Sequence, residues 1–171
     1  MHFLRIFFVF YLISSPALSN DKIPVKYIDL NFIVNNSIVG KKIKDLKIKK
    51  KTKLEKEHKK IEKNLLNKKN EILSKKNVLS EEEFKNEADS HQKKVNEYEN
   101  KKKQDFEEMA KKNLKLSRDF LIKIDKLVIE YARNNSIDLL LKKDALIVSN
   151  SSLDITKAIL EEVDKTIKKI N

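Results

Sequence analysis

The feature that most constrains the fold is a long stretch of chain that is almost free of glycine and proline. Between Ile38 and Asn134 there is no proline, and Gly40 is the only glycine of the whole chain. Turns are built largely from Gly, Pro, Asn and Asp. Asn is plentiful here, but Gly and Pro are scarce, so we expect few tight turns and a few long elements. The same scarcity argues against sandwiches, barrels and doubly wound sheets, and it excludes glycine-rich phosphate loops.

Apolar spacing predicts that this stretch forms two long helices with the seam of a coiled coil. The first helix runs from Ile38 to about Ser74, and its phase shifts near Ile43 and Leu46, which predicts a stutter. Its seam positions follow alternating steps of four and three residues: Leu54, His58, Ile61, Leu65 and Ile72.

A capping box predicts the start of the second helix, because Ser80 can cap it and Glu83 can reach back to Ser80. At about 1.5 Å per residue, helices of roughly 38 and 53 residues reach about 57 and 80 Å. A short turn between them requires an antiparallel hairpin, which forms an arm and not a globular core. The second seam comprises Phe84, Ala88, His91, Val95, Tyr98, Phe106, Met109, Leu116, Phe120, Ile124, Leu127 and Tyr131.

The chain has a formal net charge of +12, and the excess lies on the first long helix. Residues 41–79 hold sixteen Lys against five acidic residues, whereas the segments 20–40, 80–134 and 135–171 are each balanced. A codon bias toward Lys would not by itself explain this asymmetry. Lys49, Lys56 and Lys63 recur every seven residues off the seam, and we interpret them as candidate contacts for anionic partners. A merely solvated helix face is the alternative interpretation.

Residues 1–19 have the pattern of a cleaved secretory signal. Arg5 precedes an apolar run from Ile6 to Ile13, and small residues follow at Ala17 and Ser19. The run is too short to span a bilayer. We therefore expect a mature chain that starts at Asn20, has 152 residues and carries a charge of +11, since Arg5 is the only charge removed.

The two ends of the mature chain predict short β elements and a closing helix. Strands are expected at Val25–Asp29, Ile137–Lys142 and Ala145–Ser149, the last two joined by a turn at Lys143-Asp144. Further expectations are a short turn at Leu30–Val34 capped by Asp29, a left-handed C-cap at Asn134-Asn135, and a final helix capped by Asp154 or Thr156. The apolar face of that helix comprises Ile155, Ile159, Val163 and Ile167.

Three short strands leave open edges that another copy of the chain could cover. The consecutive residues Leu139, Leu140 and Leu141 suggest a strand that needs cover on both faces. The candidate oligomerisation residues are Tyr27, Ile28, Leu139, Leu140, Leu141 and Ile147.

No set of residues predicts catalysis. The chain has no cysteine, which excludes disulfides, thiolate metal sites and cysteine nucleophiles. His58 and His91 are the only histidines of the mature chain, and both occupy seam positions; two histidines lack a third metal ligand. Only Arg118 and Arg133 could supply arginine contacts to bases, so specific nucleic-acid binding is not expected. We predict a protein that is not an enzyme and has no cofactor or metal.

Both ends of the sequence resemble the Skp/OmpH family of periplasmic chaperones. The N-terminal resemblance covers Tyr27 to Ser37 and continues at Gly40-Lys41-Lys42. The C-terminal resemblance covers Ile137 to Lys143, Ala145 to Val148, and Leu153-Asp154-Ile155-Thr156 with the closing helix. The chain departs from the family at Asn135 and Ser136, where the family often has Gly, and at Val148-Ser149, where it often has Tyr-Ala.

This resemblance implies a homotrimer in which a β body holds three helical arms around a cavity. The expected fold is mainly α, with a small β body, a long antiparallel coiled-coil hairpin inserted between short strands, and a C-terminal helix. The expected regions are a signal peptide at 1–19, a body and trimerisation region at 20–36 and 135–171, and a hairpin arm at 37–134.

The function implied by the resemblance is that of an ATP-independent periplasmic holdase. Its partners would be unfolded outer-membrane proteins, and Lys49, Lys56 and Lys63 become candidate client contacts. Two alternatives stay open: a structural coiled-coil protein of the envelope, and a binder of anionic lipid or lipopolysaccharide surfaces.

Overall fold

The computed structural model describes residues 23–169 and shows a long helical hairpin standing on a small body. The predicted signal at 1–19 and the expected mature start at Asn20 lie outside the described residues. The elements in chain order are β1 (Val25–Ile28), α1 (Leu30–Asn36), α2 (Ile38–Ser74), α3 (Glu81–Asn134), β2 (Leu139–Lys142) and α4 (Thr156–Thr166). The predicted fold class, with the hairpin inserted between short strands and a helix at the end, is confirmed.

β1 and β2 form a parallel pair in which Val25 is opposite Leu139 and Ile28 is opposite Lys142. Parallel neighbours need a long crossover, and here the entire hairpin supplies it. A second, isolated parallel bridge joins Tyr27 to Asp154, and the Ile155 amide donates to the Tyr27 carbonyl at 3.1 Å. β1 is therefore flanked on both sides, and the outer edge of β2 is open in the described chain.

The predicted third strand at Ala145–Ser149 is wrong. Lys143–Ala145 forms a single 3₁₀ turn in place of the two-residue hairpin turn. Ile147 and Val148 then extend into solvent, 102% and 88% exposed. Their β-branched side chains favour extended backbone, but a strand also needs a neighbour with free N–H and C=O groups. The 3₁₀ turn does not fold the segment back onto the open edge of β2, and the free side of β1 is taken by Asp154.

Ser37 ends α1 and begins α2. Its amide donates to the Ile33 carbonyl, and its side chain accepts from the Gly40 amide at 3.2 Å. A Cβ at Gly40 would lie 1.8 Å from the Val34 carbonyl oxygen, so the tight junction between the two helices requires glycine. Asp29 caps α1 as predicted, accepting from the Phe32 amide at 2.8 Å.

The capping box at the start of α3 is confirmed. The Ser80 hydroxyl accepts from the Glu83 amide, and the Glu83 carboxylate accepts from the Ser80 amide at 3.0 Å. Hydrogen bonds from the Ser80 hydroxyl and amide lower the pKa of Glu83. α2 and α3 have 37 and 54 residues, so the hairpin has the bounds that the sequence predicts.

The predicted left-handed cap at Asn134-Asn135 is displaced by one residue. Asn135 has a φ of −107° and uses its side chain, whose Nδ2 donates to the Tyr131 carbonyl at 2.8 Å. The left-handed residue is Ser136, with a φ of 53°. This is one of the two positions where the sequence departs from the glycine common in the family it resembles.

One apolar core joins the body to the base of the arm. α4 contributes the face predicted for it, with Ile159, Val163 and Ile167 buried. The shift of phase at Ile43 and Leu46 also has an explanation: Ile43 is buried in this core, whereas Leu46 is 49% exposed. The buried cluster comprises Ile28, Ile33, Val39, Ile43, Phe120, Ile124, Leu127, Ile159, Val163 and Ile167.

The Asp-Ile-Thr segment ties the two ends of the described chain together. The Asp29 amide donates to the Thr156 hydroxyl at 2.8 Å, and the Thr156 amide donates to Asp154 Oδ1 at 2.8 Å. Burial raises the pKa of Asp154, but the hydrogen bonds from Thr156 and the nearby Lys143 outweigh it, so the net shift is downward. The predicted cap at Asp154 or Thr156 is wrong, because the N-cap of α4 is Ile155, which makes no side-chain capping bond. Asp154 lies one residue earlier and accepts from the first amide of the helix, and Thr156 holds the start of α1.

Candidate functional site

The arm is a thin two-helix structure whose seam is only half-buried along most of its length. Leu54, Leu65 and Val95 are of intermediate exposure, and in the part beyond the body core only His58 and Ile72 are buried among the described residues. Ile61, predicted on the seam, is 38% exposed. Two helices cannot enclose their contact face, so apolar side chains stay accessible to a partner along the arm.

The middle of the arm is filled by rings. His58 is 3% exposed, and its ring lies 5.6 Å from the Tyr98 ring and 5.5 Å from the Phe106 ring, stacked on the latter at an interplanar angle of 25°. Its Nε2 atom lies 3.5 Å from Asp105 Oδ2. The second seam histidine, His91, does not join this cluster; its Nε2 lies 2.9 Å from the Leu65 carbonyl oxygen.

A polar network closes over one side of these rings. Tyr98 donates to Glu62 Oε1 at 3.0 Å, and Lys102 Nζ donates to the same oxygen at 2.6 Å. Burial, followed by the hydrogen bond to Glu62, raises the pKa of Tyr98 to about 12. The bonds from Lys102 and Tyr98 lower the pKa of Glu62. The network therefore joins α2 to α3 with Tyr98 protonated and Glu62 charged at neutral pH.

Toward the tip the two helices leave an open apolar groove of about 510 Å³. Leu66 and Leu73 border it and are 56% and 53% exposed. Neither is among the predicted site residues. They are seven residues apart and directly follow the seam positions Leu65 and Ile72, so they form a second apolar row on α2 beside the seam. The remaining apolar lining comprises Leu65, Ile72, Phe84, Ala88, Val95 and Tyr98.

The predicted basic residues lie on the outer side of the arm. Lys49, Lys56 and Lys63 are all exposed. None of them has a carboxylate oxygen within 4.0 Å among residues 23–169, whereas the neighbouring Lys51 and Lys53 pair with Glu55 and Glu57. Lys49 and Lys56 border one open depression, to which Lys53 and Lys60 add two further ammonium groups. Lys63 lies outside that depression, so the structure brings together only two of the three predicted residues.

The predicted oligomerisation residues fall into two groups. Tyr27 and Ile28 are buried by their own chain, at 6% and 5% exposure, and Leu140 packs against the body core. Leu139 is 45% exposed, Leu141 is half-buried and Ile147 is fully exposed. Only the second group, at the open edge of β2 and the loop after it, is available for contact with another chain.

Residues 23–169 include no helix that is both long and apolar enough to cross a membrane. Within the same range, no group of three or more His, Asp or Glu side chains is placed to hold a metal ion.

The fold and its arm define a class of chain: a helical hairpin arm on a two-stranded body closed by a C-terminal helix. The model of the family described as outer membrane protein (OmpH-like) matches residues 24–163. The chain therefore belongs to the OmpH-like family, which confirms the resemblance found at the two ends of the sequence. A comparison with curated proteins finds no match.

A solved structure has the same fold. It is the crystal structure of an OmpH-like protein from Caulobacter crescentus, described as a candidate outer membrane chaperone. The TM-score is 0.81 and the sequence identity 21%, with 88% of this chain and 89% of that chain covered. At this identity the likeness is one of fold, and the shared architecture includes the hairpin arm and its body.

Proposed function

We propose that this chain is an ATP-independent holdase chaperone of the periplasm. In this proposal it is not an enzyme, and it binds unfolded outer-membrane proteins and prevents their aggregation as a homotrimer. Membership of the OmpH-like family and the description of the Caulobacter crescentus neighbour support a chaperone role. The signal pattern of residues 1–19 supports export of the chain.

The observation that carries the proposal is the arm, which exposes apolar side chains among many charges. Along α2, Ile48, Leu66 and Leu73 are each more than half exposed, and Leu114 of α3 is 61% exposed. Isolated apolar side chains on a charged surface bury little area each, so they bind an unfolded segment weakly and exchangeably. A holdase needs such contacts, because a client that is bound tightly at one point cannot later fold.

The basic face of α2 supports the same function. Residues 41–74 of this helix hold fourteen Lys against five acidic residues, and Lys75 and Lys76 follow directly after it. Long-range attraction raises the rate at which oppositely charged chains meet. In this proposal Lys49, Lys56 and Lys63 act in capture, and the apolar side chains act in holding.

The direct test is suppression of aggregation. A denatured outer-membrane β-barrel protein is diluted into buffer with EDTA and without nucleotide, and light scattering is followed at rising concentrations of the full mature chain. The proposal predicts that scattering falls to the baseline near stoichiometric amounts of the chain. Unchanged scattering would contradict it and favour a structural spacer. Binding to anionic vesicles with no effect on the client would favour the surface binder.

A further inference from the structure

The half of α3 that is nearer the body has apolar residues on two separate sides. One side is the seam with α2 and the contact with α4, where Phe120, Ile124 and Leu127 are buried. The other side is turned by about 120° from the seam, at 3.6 residues per turn. Its large apolar side chains are 36–61% exposed: Leu114, Leu121, Ile122 and Ile129. A helix that is apolar on more than one side usually packs against more than one neighbour.

The second side follows the spacing of a coiled-coil seam, with alternating steps of four and three residues. We call these residues the α3 stripe: Leu114, Arg118, Leu121, Asp125, Val128 and Ala132. Continued toward the tip of the arm, the same spacing meets only polar residues: Lys111, Glu107, Gln104, Asn100, Glu97 and Lys93. The apolar character of this side is therefore confined to the half of α3 near the body, and it does not reflect the average composition of the helix.

The α3 stripe contains two opposite charges. Arg118 and Asp125 are exposed, and neither has an ion-pair partner within 4.0 Å among residues 23–169, whereas Lys112 of the same helix pairs with Glu108. The two charged residues are seven residues apart, about 10 Å along the helix axis. Leu121 lies between them, so the stripe presents a positive charge, an apolar centre and a negative charge in that order.

This order of charges selects a partner. If a second α3 lay alongside in the same direction and register, Arg118 would meet Arg118 and Asp125 would meet Asp125, and like charges in contact are unfavourable. If the second α3 ran in the opposite direction, Arg118 of each copy would come near Asp125 of the other. Leu121 of both copies would then lie near the two-fold axis. Such a contact uses the same surface on both copies and closes on itself.

We propose that the α3 stripe binds the α3 stripe of a second copy of this chain in antiparallel orientation. Apolar side chains of both copies lose their exposure in this contact, and two pairs of Arg118 with Asp125 fix its direction. In the trimer proposed above, three arms leave one body in the same direction, so the second copy belongs to another assembly. The apolar groove toward the tip of the arm lies outside this contact and stays open to a client.

The test is cysteine cross-linking of the full mature chain, whose sequence has no cysteine of its own. In the antiparallel contact, Leu121→Cys places the thiols of two copies side by side. Leu114→Cys separates them by at least about 15 Å along the helix axis. A disulfide requires Cα atoms about 4.4–6.8 Å apart. After mild oxidation, a denaturing gel without reductant should therefore show at least about tenfold more linked pair for Leu121→Cys than for Leu114→Cys.

Charge variants in the Leu121→Cys background assign the contact. Arg118→Asp or Asp125→Arg brings like charges together, so each should lower the yield of linked pair about three- to tenfold. The two changes combined should restore the yield, because the exchanged charges are complementary again. Lys93→Asp and Glu97→Arg, at stripe spacing on the polar part of α3, are the matched controls and should leave the yield unchanged. All four positions are exposed, so the variants should keep the fold.

Equal yields from Leu121→Cys and Leu114→Cys would indicate a parallel contact between arms, and no linked pair from either would show that no second copy covers the stripe. Each result would overturn the proposal, as would a combined charge variant that fails to recover. The gel counts linked chains whatever oligomer the body forms, and the experiment contains no client. Its failure is therefore distinct from failure of the proposed trimer or of the proposed holdase function.

Discussion

Two backbone positions near the body accept only some side chains. Gly40 lies in the first turn of α2, so close to the Val34 carbonyl that a Cβ there would overlap it. Ser136 ends the connection from α3 with a φ of 53°, a conformation that costs a residue with a Cβ about 1–2 kcal/mol. The first position has the residue it requires, and the second does not.

Gly40→Ala should destabilise the protein. Alanine would favour the helix by about 1 kcal/mol, but the overlap with the Val34 carbonyl at 1.8 Å forces α1 and α2 apart, and overpacking of this kind costs about 1–3 kcal/mol. Urea unfolding followed by circular dichroism measures the change. Lys44→Ala, on the exposed face of the same helix, is the control, and equal stability of the two variants would show that the junction is not tight.

Ser136→Gly should stabilise the protein by about 0.5–1 kcal/mol. Glycine adopts a positive φ without the steric penalty of a Cβ, and this gain exceeds the extra conformational entropy that glycine loses on folding. The neighbouring Asn135→Gly is the matched control. It has a negative φ and would lose the hydrogen bond to the Tyr131 carbonyl, so it should destabilise. Thermal unfolding of both variants decides the point, and a loss of stability in Ser136→Gly would contradict it.

At the scale of the elements, the long helices are predictable because their signals are local. Four-three spacing and the capping box at Ser80 lie within the segments they define, and the helix bounds agree with them. The β body is less predictable, because a strand depends on a partner distant in sequence. Ala145–Ser149 has residues typical of a strand but no neighbouring strand to pair with. Asp154 lies outside any predicted strand, yet it forms a bridge with Tyr27 of β1.

The candidate site also combines features that are local in sequence with features that depend on residues distant in sequence. Exposure of Lys49, Lys56 and Lys63 could be predicted from their phase relative to the seam. The ring cluster could not, because it depends on which residues of α3 face His58 across the hairpin. The apolar groove at the tip depends on Leu66 and Leu73, whose row is visible in the sequence only when the neighbouring seam is known.

Reversing the charge of Lys49, Lys56 and Lys63 to Glu should slow capture of acidic unfolded clients and leave the fold intact. All three are exposed, and such substitutions typically change stability by about 0.5 kcal/mol or less. The wild type should lose association rate as salt rises, since screening acts over roughly 8 Å at physiological ionic strength. The triple variant should depend less on salt.

Stopped-flow mixing with a labelled client at two salt concentrations measures both effects. Replacing Lys103, Lys111 and Lys115 by Glu on the exposed surface of α3 changes the net charge equally and serves as the control for position. Equal rates and equal salt slopes for the wild type and the α2 variant would mean that the excess of Lys on α2 reflects amino-acid composition and has no role in capture.

At the scale of the whole molecule, the open edge of β2 suggests association. Leu139 is 45% exposed, and Ile147 and Val148 lie almost free of their own chain. Since the chain has no disulfide to stabilise a small body, pairing between copies would cover these side chains and give Ala145–Ser149 the neighbour that it lacks. Leu140, in contrast, packs against the body core and is a poor probe of the interface.

Because the family resemblance implies three copies, we expect a trimer in sedimentation equilibrium at micromolar concentration, and we expect Ile147→Asp to dissociate it. Burying an unpaired carboxylate costs several kcal/mol, whereas the fully exposed position leaves the monomer fold unaffected. Val78→Asp, an equally polar change at the exposed tip of the hairpin, should remain trimeric. A wild-type monomer, or a trimer of Ile147→Asp, would contradict this assignment of the interface.

The central claim is that the arm holds an unfolded outer-membrane protein in a state that can still fold. The most direct measurement incubates a denatured β-barrel protein with the full mature chain, without nucleotide, and then adds lipid vesicles after increasing delays. The yield of folded barrel is read from its altered mobility in an unheated gel. The account predicts a yield that stays constant over delays that abolish folding of the client alone. A yield that decays as fast with the chain as without it would contradict the account.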